Sequence, residues 1–309
     1  LLGCLVLSAL LPLLLPAALL IDLGVRRSRL VTTRLALWLP GAAWVESLGL
    51  LALGAVWVAT AAGSPARLRA TFAVQRGYTR AHFAWVALVF QVRLEVEGAA
   101  AATPGPVLVL INHTSLVDAL LPAVVLANPF GLRLRYVLKE ELLLEPCLDV
   151  AGHWLPNHFV ARGGQDTAGE LGRVAALAQG LTPSDGVVIY PEGTRFTRSK
   201  QARAREALAG VALERALTLR HTLPPRPGGT LALLEAAPRC DVLILAHRGL
   251  EGLVSLGDIW RGGLVGLRLE VKLWRERAEA LPTTPEARRA WLAARWQQLD
   301  DWLEERTHA

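Results

Sequence analysis

Val107-Leu108-Val109-Leu110-Ile111-Asn112-His113-Thr114-Ser115-Leu116-Val117-Asp118 passes directly from an aliphatic run into an imidazole and a carboxylate five positions apart. A short run of that kind reads as a buried strand. Positions i and i+5 of one continuous helix diverge by about 140° in azimuth. His113 and Asp118 therefore meet only where a strand turns into a helix, with His113 on the loop and Asp118 in the first helical turn. Ser115 is expected to be the N-cap, its oxygen accepting from an amide at or near Asp118. Ala119 to Leu126 continues as an apolar helix that breaks near Asn128-Pro129.

A second apolar run, Val187 to Tyr190, leads into Pro191-Glu192-Gly193-Thr194-Arg195-Phe196-Thr197. Here a carboxylate, a glycine, a hydroxyl and a guanidinium fall together. Side chains at strand ends reach a shared cleft from a rigid sheet. A base with its orienter, facing an anion clamp, suggests acyl transfer onto a phosphorylated alcohol. Taken singly, the first stretch also reads as a surface histidine beside a helix cap, and the second as a turn with an exposed ion pair. Their joint occurrence at two strand ends favours a site.

Other chemistries find no support. The chain has no G-x-S-x-G elbow, no G-x-x-x-x-G-K-[ST] loop and no H-E-x-x-H pair. His153 and His158 flank Trp154-Leu155-Pro156-Asn157, a spacing that suits zinc poorly, and read as loop residues near the cleft. No metal and no organic cofactor is implied. Cys4, Cys147 and Cys240 are scattered and odd in number, which argues for reduced thiols on the cytosolic side.

Composition points to a membrane-associated protein: 52% of residues are hydrophobic and mean hydropathy is +0.35, high for a soluble chain. Leu1 to Ile21 carries no charge and is long enough to cross a hydrocarbon core, Pro12 and Pro16 notwithstanding. It exceeds a usual signal-peptide core and shows no convincing cleavage site. The sequence starts at Leu1 and contains no methionine, so the native N-terminus is not read from it. Leu35 to Ala62 is a second apolar stretch, interrupted by Pro40-Gly41 and Glu46. Arg26, Arg27, Arg29 and Arg34 lie between the two, and Arg67, Arg69, Arg76 and Arg80 follow. Both clusters are cytoplasmic only if the second stretch is a re-entrant or interfacial arm, with Glu46 near the headgroups. A net charge of +6 draws the chain to anionic lipid. Nucleic acid is not an expected partner, because no RNA-binding signature or zinc finger is present.

Residues 1–65 are thus expected to be membrane-anchoring apolar helices. Residues 66–309 are expected to form an α/β catalytic domain ending in an amphipathic helix. A basic linker reaches Arg80, and a helix spans Ala81 to Phe90. Strands follow at Val92–Glu97, Val107–Ile111, Tyr136–Leu138, near Val187, near Val242 and at Leu267–Trp274. Leu292, Trp296, Leu299 and Leu303 repeat at helical spacing, a stripe read as packing against the domain.

At these residues the chain resembles the glycerolipid acyltransferases of the lysophosphatidic acid acyltransferase superfamily. Asn112, His113, Ser115 and Asp118 match the family's first block, N-H-x-S-x-x-D, and Pro191 to Arg195 its third, P-E-G-T-R. Phe196-Thr197 with Lys200, and His221-Thr222-Leu223-Pro224-Pro225-Arg226-Pro227-Gly228-Gly229, look like the lysocardiolipin and lysophospholipid acyltransferase branch. Two blocks depart. Phe159-Val160-Ala161-Arg162 keeps the second block's arginine but not its acid, and the strand Val242 to Ala246 runs into His247-Arg248 instead of proline. The resemblance implies a mixed sheet flanked by helices, with an N-terminal two-helix anchor.

It also implies a reaction: acyl transfer from acyl-CoA or acyl carrier protein to the sn-2 hydroxyl of lysophosphatidic acid at a membrane. His113 is the expected base and Asp118 its orienter. Arg162, Glu192, Gly193, Thr194 and Arg195 are expected at the acceptor phosphate, Glu192 orienting Arg195 or the acceptor. Asn112 and Ser115 support the motif. A lysophospholipid with a larger head group is the alternative acceptor, and a weakly catalytic lipid-binding scaffold the alternative class. The expected partners are therefore membrane lipids, the lysophospholipid and the acyl donor, with the catalytic domain on the cytoplasmic side.

Overall fold

Three strands buried along their whole length, or nearly so, set the centre of the molecule: β2 (Val107–Ile111), β5 (Asp185–Ile189) and β6 (Asp241–Arg248). In the computed structural model, which describes residues 1–26, 29–115, 117–139, 146–160 and 167–307, they lie side by side and parallel, β2 in the middle. Beyond β5 come β3 (Arg133–Lys139) and β4 (His158–Val160), also parallel. Beyond β6 comes β7 (Arg268–Glu276), antiparallel to it, and then β1 (Arg93–Glu97), parallel to β7. The order is β1-β7-β6-β2-β5-β3-β4, a mixed sheet flanked by helices as the sequence implies. Edge strand β1 alternates exposed and half-buried residues, whereas the central strands need cover on both faces.

That cover comes from two cores. Leu108, Leu110, Val187, Ile189, Val242 and Ile244 point to one face. Val107, Val109, Ile111, Val188, Leu243 and Leu245 point to the other. In chain order the helices are α1 (Leu2–Ile21), α2 (Val31–Ala59), α3 (Pro65–Phe90), α4 (Asn128–Phe130), α5 (Pro146–Trp154) and α6 (Thr167–Ala176). They continue with α7 (Arg198–Glu206), α8 (Gly210–Thr218), α9 (Pro227–Ala236), α10 (Leu256–Trp260) and α11 (Pro285–Thr307). The first face is covered by α6, α9 and α11, with Trp296 and Leu299 of α11 fully buried. The C-terminal stripe is therefore core. Ala123 to Ala127 and their neighbours cover the second face.

α1 and α2 are long and apolar enough to cross a membrane, and α1 exposes Leu2, Leu5, Leu13 and Leu20 among others. α2 runs unbroken through Pro40-Gly41 and Glu46, where the sequence reads an interruption. Gly41 is a packing notch: a Cβ there would stand 2.2 Å from the indole nitrogen of Trp85 on α3. Asp22 ties the hairpin, accepting from the amides of Thr32 at 3.0 Å and Thr33 at 2.8 Å in the first turn of α2. Glu46 accepts from the Tyr78 hydroxyl at 2.8 Å and the Cys147 amide at 2.6 Å.

The basic stretch expected to be a linker up to Arg80 is the first half of α3. The Ser64 side chain caps this helix by accepting from the Arg67 amide, and Pro65 occupies its first turn. β4 was not anticipated. His158 lies on it rather than in a loop, paired with Glu170 of α6 at 2.7 Å, and His153 lies on α5.

Candidate active site

The parallel strands β2, β5 and β6 deliver their carboxyl ends to one edge of the sheet, the position where open α/β sheets hold ligands. Ile111 is the last residue of β2, and its ladder is prolonged by a side chain. Asn112 donates through Nδ2 to the carbonyl of His247 at 3.1 Å, and its Oδ1 accepts from the His247 amide at 2.9 Å. The backbone then turns. Asp118 opens a 3-10 turn (Asp118–Leu120), followed by a π turn (Ala123–Ala127) and α4. This is the strand-to-helix turn that the five-residue spacing requires.

His113 and Asp118 meet there. Nδ1 of His113 lies 2.9 Å from Oδ1 and 3.1 Å from Oδ2 of Asp118. A carboxylate only accepts, so Nδ1 carries the proton and Nε2 is left as the basic nitrogen. Oδ2 of Asp118 also accepts from the amides of Thr114 at 2.7 Å and Ser115 at 2.9 Å. Burial alone would raise the pKa of this fully buried carboxyl. The hydrogen bond from His113, with the His247 imidazole close by, outweighs it and holds Asp118 well below the usual carboxylate range. The Asp118 side chain is fully buried, while that of His113 keeps 17% of its surface exposed. The imidazole thus reaches solvent and the carboxylate does not.

Ser115 does not cap as expected. Its hydroxyl donates to the Leu253 carbonyl at 2.7 Å and accepts only a long bond from the Val117 amide at 3.3 Å. The amides of the turn are held by Asp118 instead, because a carboxylate accepts from two donors at once where a hydroxyl offers less.

The Pro191–Arg195 turn closes over His113 from β5. Glu192 is buried, and its two oxygens accept from the His113 amide at 3.0 Å and the Leu223 amide at 2.9 Å. Both oxygens thus face backbone amides, and among the described residues neither bonds Arg195. Burial pushes its carboxyl well above the usual range, despite those two bonds. The Phe196 amide donates to the His113 carbonyl at 2.7 Å, so the two motif loops are stitched on both sides of the histidine. The Tyr190 ring packs on His113 with centroids 4.8 Å apart, and its hydroxyl donates to the Asp118 carbonyl.

Gly193 has φ +67°, a left-handed conformation that suits glycine. Thr194 accepts from Lys200 Nζ at 2.9 Å. Arg195 donates through Nη1 to the Val254 carbonyl at 3.0 Å, on the segment after β6 that also receives Ser115. Thr197 caps α7, accepting from the Lys200 amide. Arg162 lies outside the described residues.

His247 was not assigned a role from sequence. It is fully buried, its Nε2 donates to the Asn112 carbonyl at 3.0 Å, and the same nitrogen lies 3.6 Å from Asp118 Oδ2. Its position as the residue that departs from the family's fourth block was the available signal. Asp300 of α11 was also unassigned; it is buried and accepts from the amides of Arg220 and His221 and the hydroxyl of Thr222. Among the described residues, no cluster of three or more His, Cys, Asp or Glu side chains is arranged to hold a metal ion.

Residues 93–233, which contain both motif loops, match the sequence model of the Acyltransferase family. Among solved structures, the chain is similar to the 1-acyl-sn-glycerophosphate (LPA) acyltransferase PlsC from Thermotoga maritima. The TM-score is 0.54 at 14% identity, covering 86% of this chain and 97% of that one. No curated protein matches the sequence.

Proposed function

We propose that this chain, which carries an Acyltransferase-family match over residues 93–233, belongs to the glycerolipid acyltransferases and transfers a fatty acyl group from a thioester donor to the sn-2 hydroxyl of lysophosphatidic acid, giving phosphatidic acid. The observation that carries the chemistry is the His113–Asp118 pair at 2.9 Å, with Nδ1 protonated and Nε2 basic. Nε2 takes the proton of the acceptor hydroxyl as that oxygen attacks the thioester carbonyl. Asp118 stabilises the imidazolium, which returns the proton to the departing sulfur as the C–S bond breaks. A thioester is already activated, so neither a covalent enzyme intermediate nor a metal or organic cofactor is needed. Arg195 offers a planar fork to the acceptor phosphate, and Arg162 is proposed for the same role from the family resemblance.

The donor is acyl-CoA or acyl carrier protein. The α1–α2 hairpin lies in the bilayer with α2 as an interfacial arm, which keeps the arginine clusters at both its ends against anionic lipid and the catalytic domain on the cytoplasmic face.

Acyl transfer from labelled donor to a panel of lysophospholipids in detergent, with wild type and His113→Ala side by side, tests this reading. Transfer to lysophosphatidic acid that is lost in the variant is the expected result. Preference for larger head groups would move the chain to the remodelling branch. No transfer to any acceptor from either donor would leave a lipid-binding scaffold.

A further inference from the structure

Arg226 sits on the active-site turn without a task in the scheme above. Its amide donates to the Pro191 carbonyl at 2.8 Å, which ties its backbone to the first residue of the Pro191–Arg195 turn. Its side chain lies along Gly193. A Cβ at position 193 would stand 3.2 Å from Cδ, 3.5 Å from Nε and 3.6 Å from Nη1 of Arg226. The guanidinium thus occupies the space that a side chain at 193 would fill, two residues from Arg195.

The segment that carries Arg226 is fixed from both ends. Asp300, buried, accepts from the Arg220 amide at 2.7 Å, the His221 amide at 2.8 Å and the Thr222 hydroxyl at 2.7 Å. Glu192 accepts from the Leu223 amide at 2.9 Å. Pro224, Pro225 and Pro227 flank the arginine and restrict its backbone further. Two buried carboxylates and three prolines therefore hold one exposed arginine over one glycine.

Its charge is left uncompensated. Among the described residues the Arg226 guanidinium makes no hydrogen bond or ion pair, whereas Arg275 is paired with Asp241 at 2.6 Å and Arg268 with Glu95 at 2.7 Å. The acid nearest in sequence on the turn, Glu192, has both oxygens on backbone amides. The tethered backbone delivers an unpaired guanidinium to the turn, so an anion bound there displaces no existing ion pair.

We propose that Arg226 is a second phosphate-binding residue of this site, acting beside Arg195 on a phosphate of the lysophospholipid or of the acyl-CoA donor. This rests on the acyl-transfer reading for the identity of the substrates, and on the geometry alone for anion binding.

The test uses the full chain in detergent and compares wild type, Arg226→Gln, Arg226→Lys and Arg239→Ala. Gln keeps most of the stem over Gly193 and removes the charge, and Arg239 is an exposed arginine just before β6, at the sheet end away from the site. KM is measured for lysophosphatidic acid at saturating acyl-CoA, and for acyl-CoA at saturating acceptor. Binding of lysophosphatidic acid and of coenzyme A is measured by calorimetry, which reads whether or not turnover occurs. Arg226→Gln is expected to weaken one of the two ligands about 10- to 100-fold in KM and Kd. kcat should change much less, with Lys intermediate and Arg239→Ala like wild type. The ligand affected identifies whose phosphate is held. Unchanged affinity of Arg226→Gln for both ligands overturns the proposal. Wild type that binds but transfers no acyl group sinks the acyl-transfer reading and leaves this one standing.

Discussion

Nε2 of His247 lies 3.6 Å from Oδ2 of Asp118, placing a second and fully buried imidazole behind the carboxylate that orients His113. The same nitrogen donates to the Asn112 carbonyl, so one side chain links the end of β6 to the start of the motif loop. His247→Phe removes both contacts. It is expected to lower kcat about tenfold with KM little changed, since the buried Asn112 carbonyl beside the catalytic loop loses its donor, and an unmade buried bond costs about 1–3 kcal/mol. His247→Gln, whose amide nitrogen can donate at a similar reach, should recover most of the loss. Wild-type kcat in His247→Phe would show that the contact is idle.

Asp118→Asn should cost on the order of 10⁴ in turnover, by analogy with the loss of an orienting carboxylate in hydrolytic triads. A stability effect accompanies it. The carboxyl is held below its ordinary value of 3.8, so its charge stabilises the fold fully above about pH 4, and that contribution is lost as pH falls below it. Melting curves from about pH 3 to 6 should show a smaller acid-side loss in Asp118→Asn than in wild type. Equal acid-side losses would contradict the assignment.

Glu192→Gln is expected to destabilise by about 1–3 kcal/mol, because its new amide group must face one of two backbone donors. The pH sign here is opposite to that of Asp118. A carboxyl raised above its ordinary 4.5 contributes stability while protonated, and loses it as pH rises through the folded value. Chemical denaturation at several pH values above about 4.5 should show that slope in wild type and not in the variant. A variant as stable as wild type would mean that the two amide bonds count for little.

Trp296→Ala should destabilise by about 3–5 kcal/mol, as removal of a large, fully buried side chain does. Urea unfolding measures it. A loss well under 1 kcal/mol would move the α11 stripe from core to partner surface.

Much of this was legible from side-chain pattern alone. Val107–Ile111 gave its own strand bounds because five aliphatic residues in a row need cover on two faces. Helical azimuth required a strand-to-helix turn for His113 and Asp118 to meet, and the turn is there. What escaped notice depended on long-range pairing. β4 has three residues and no apolar run of its own, and it forms by pairing with β3. The role of Glu192 is set by Leu223, a residue from a distant loop, so composition of its own motif pointed to Arg195 instead. The start of α3 was readable and missed: Ser64-Pro65 is a cap followed by a first-turn proline, obscured by the arginines after it.

The bonds of Glu46 to Tyr78 and Cys147 have a mechanical consequence. They clamp the apolar hairpin to α3 and to α5, without a hinge at the clamp. In the proposed lipid setting, a tilt of the hairpin is passed to α3, which packs against the Ala123–Ala127 turn that follows His113 and Asp118. Tilting the anchor would tilt the cleft, as a keel sets the trim of a hull.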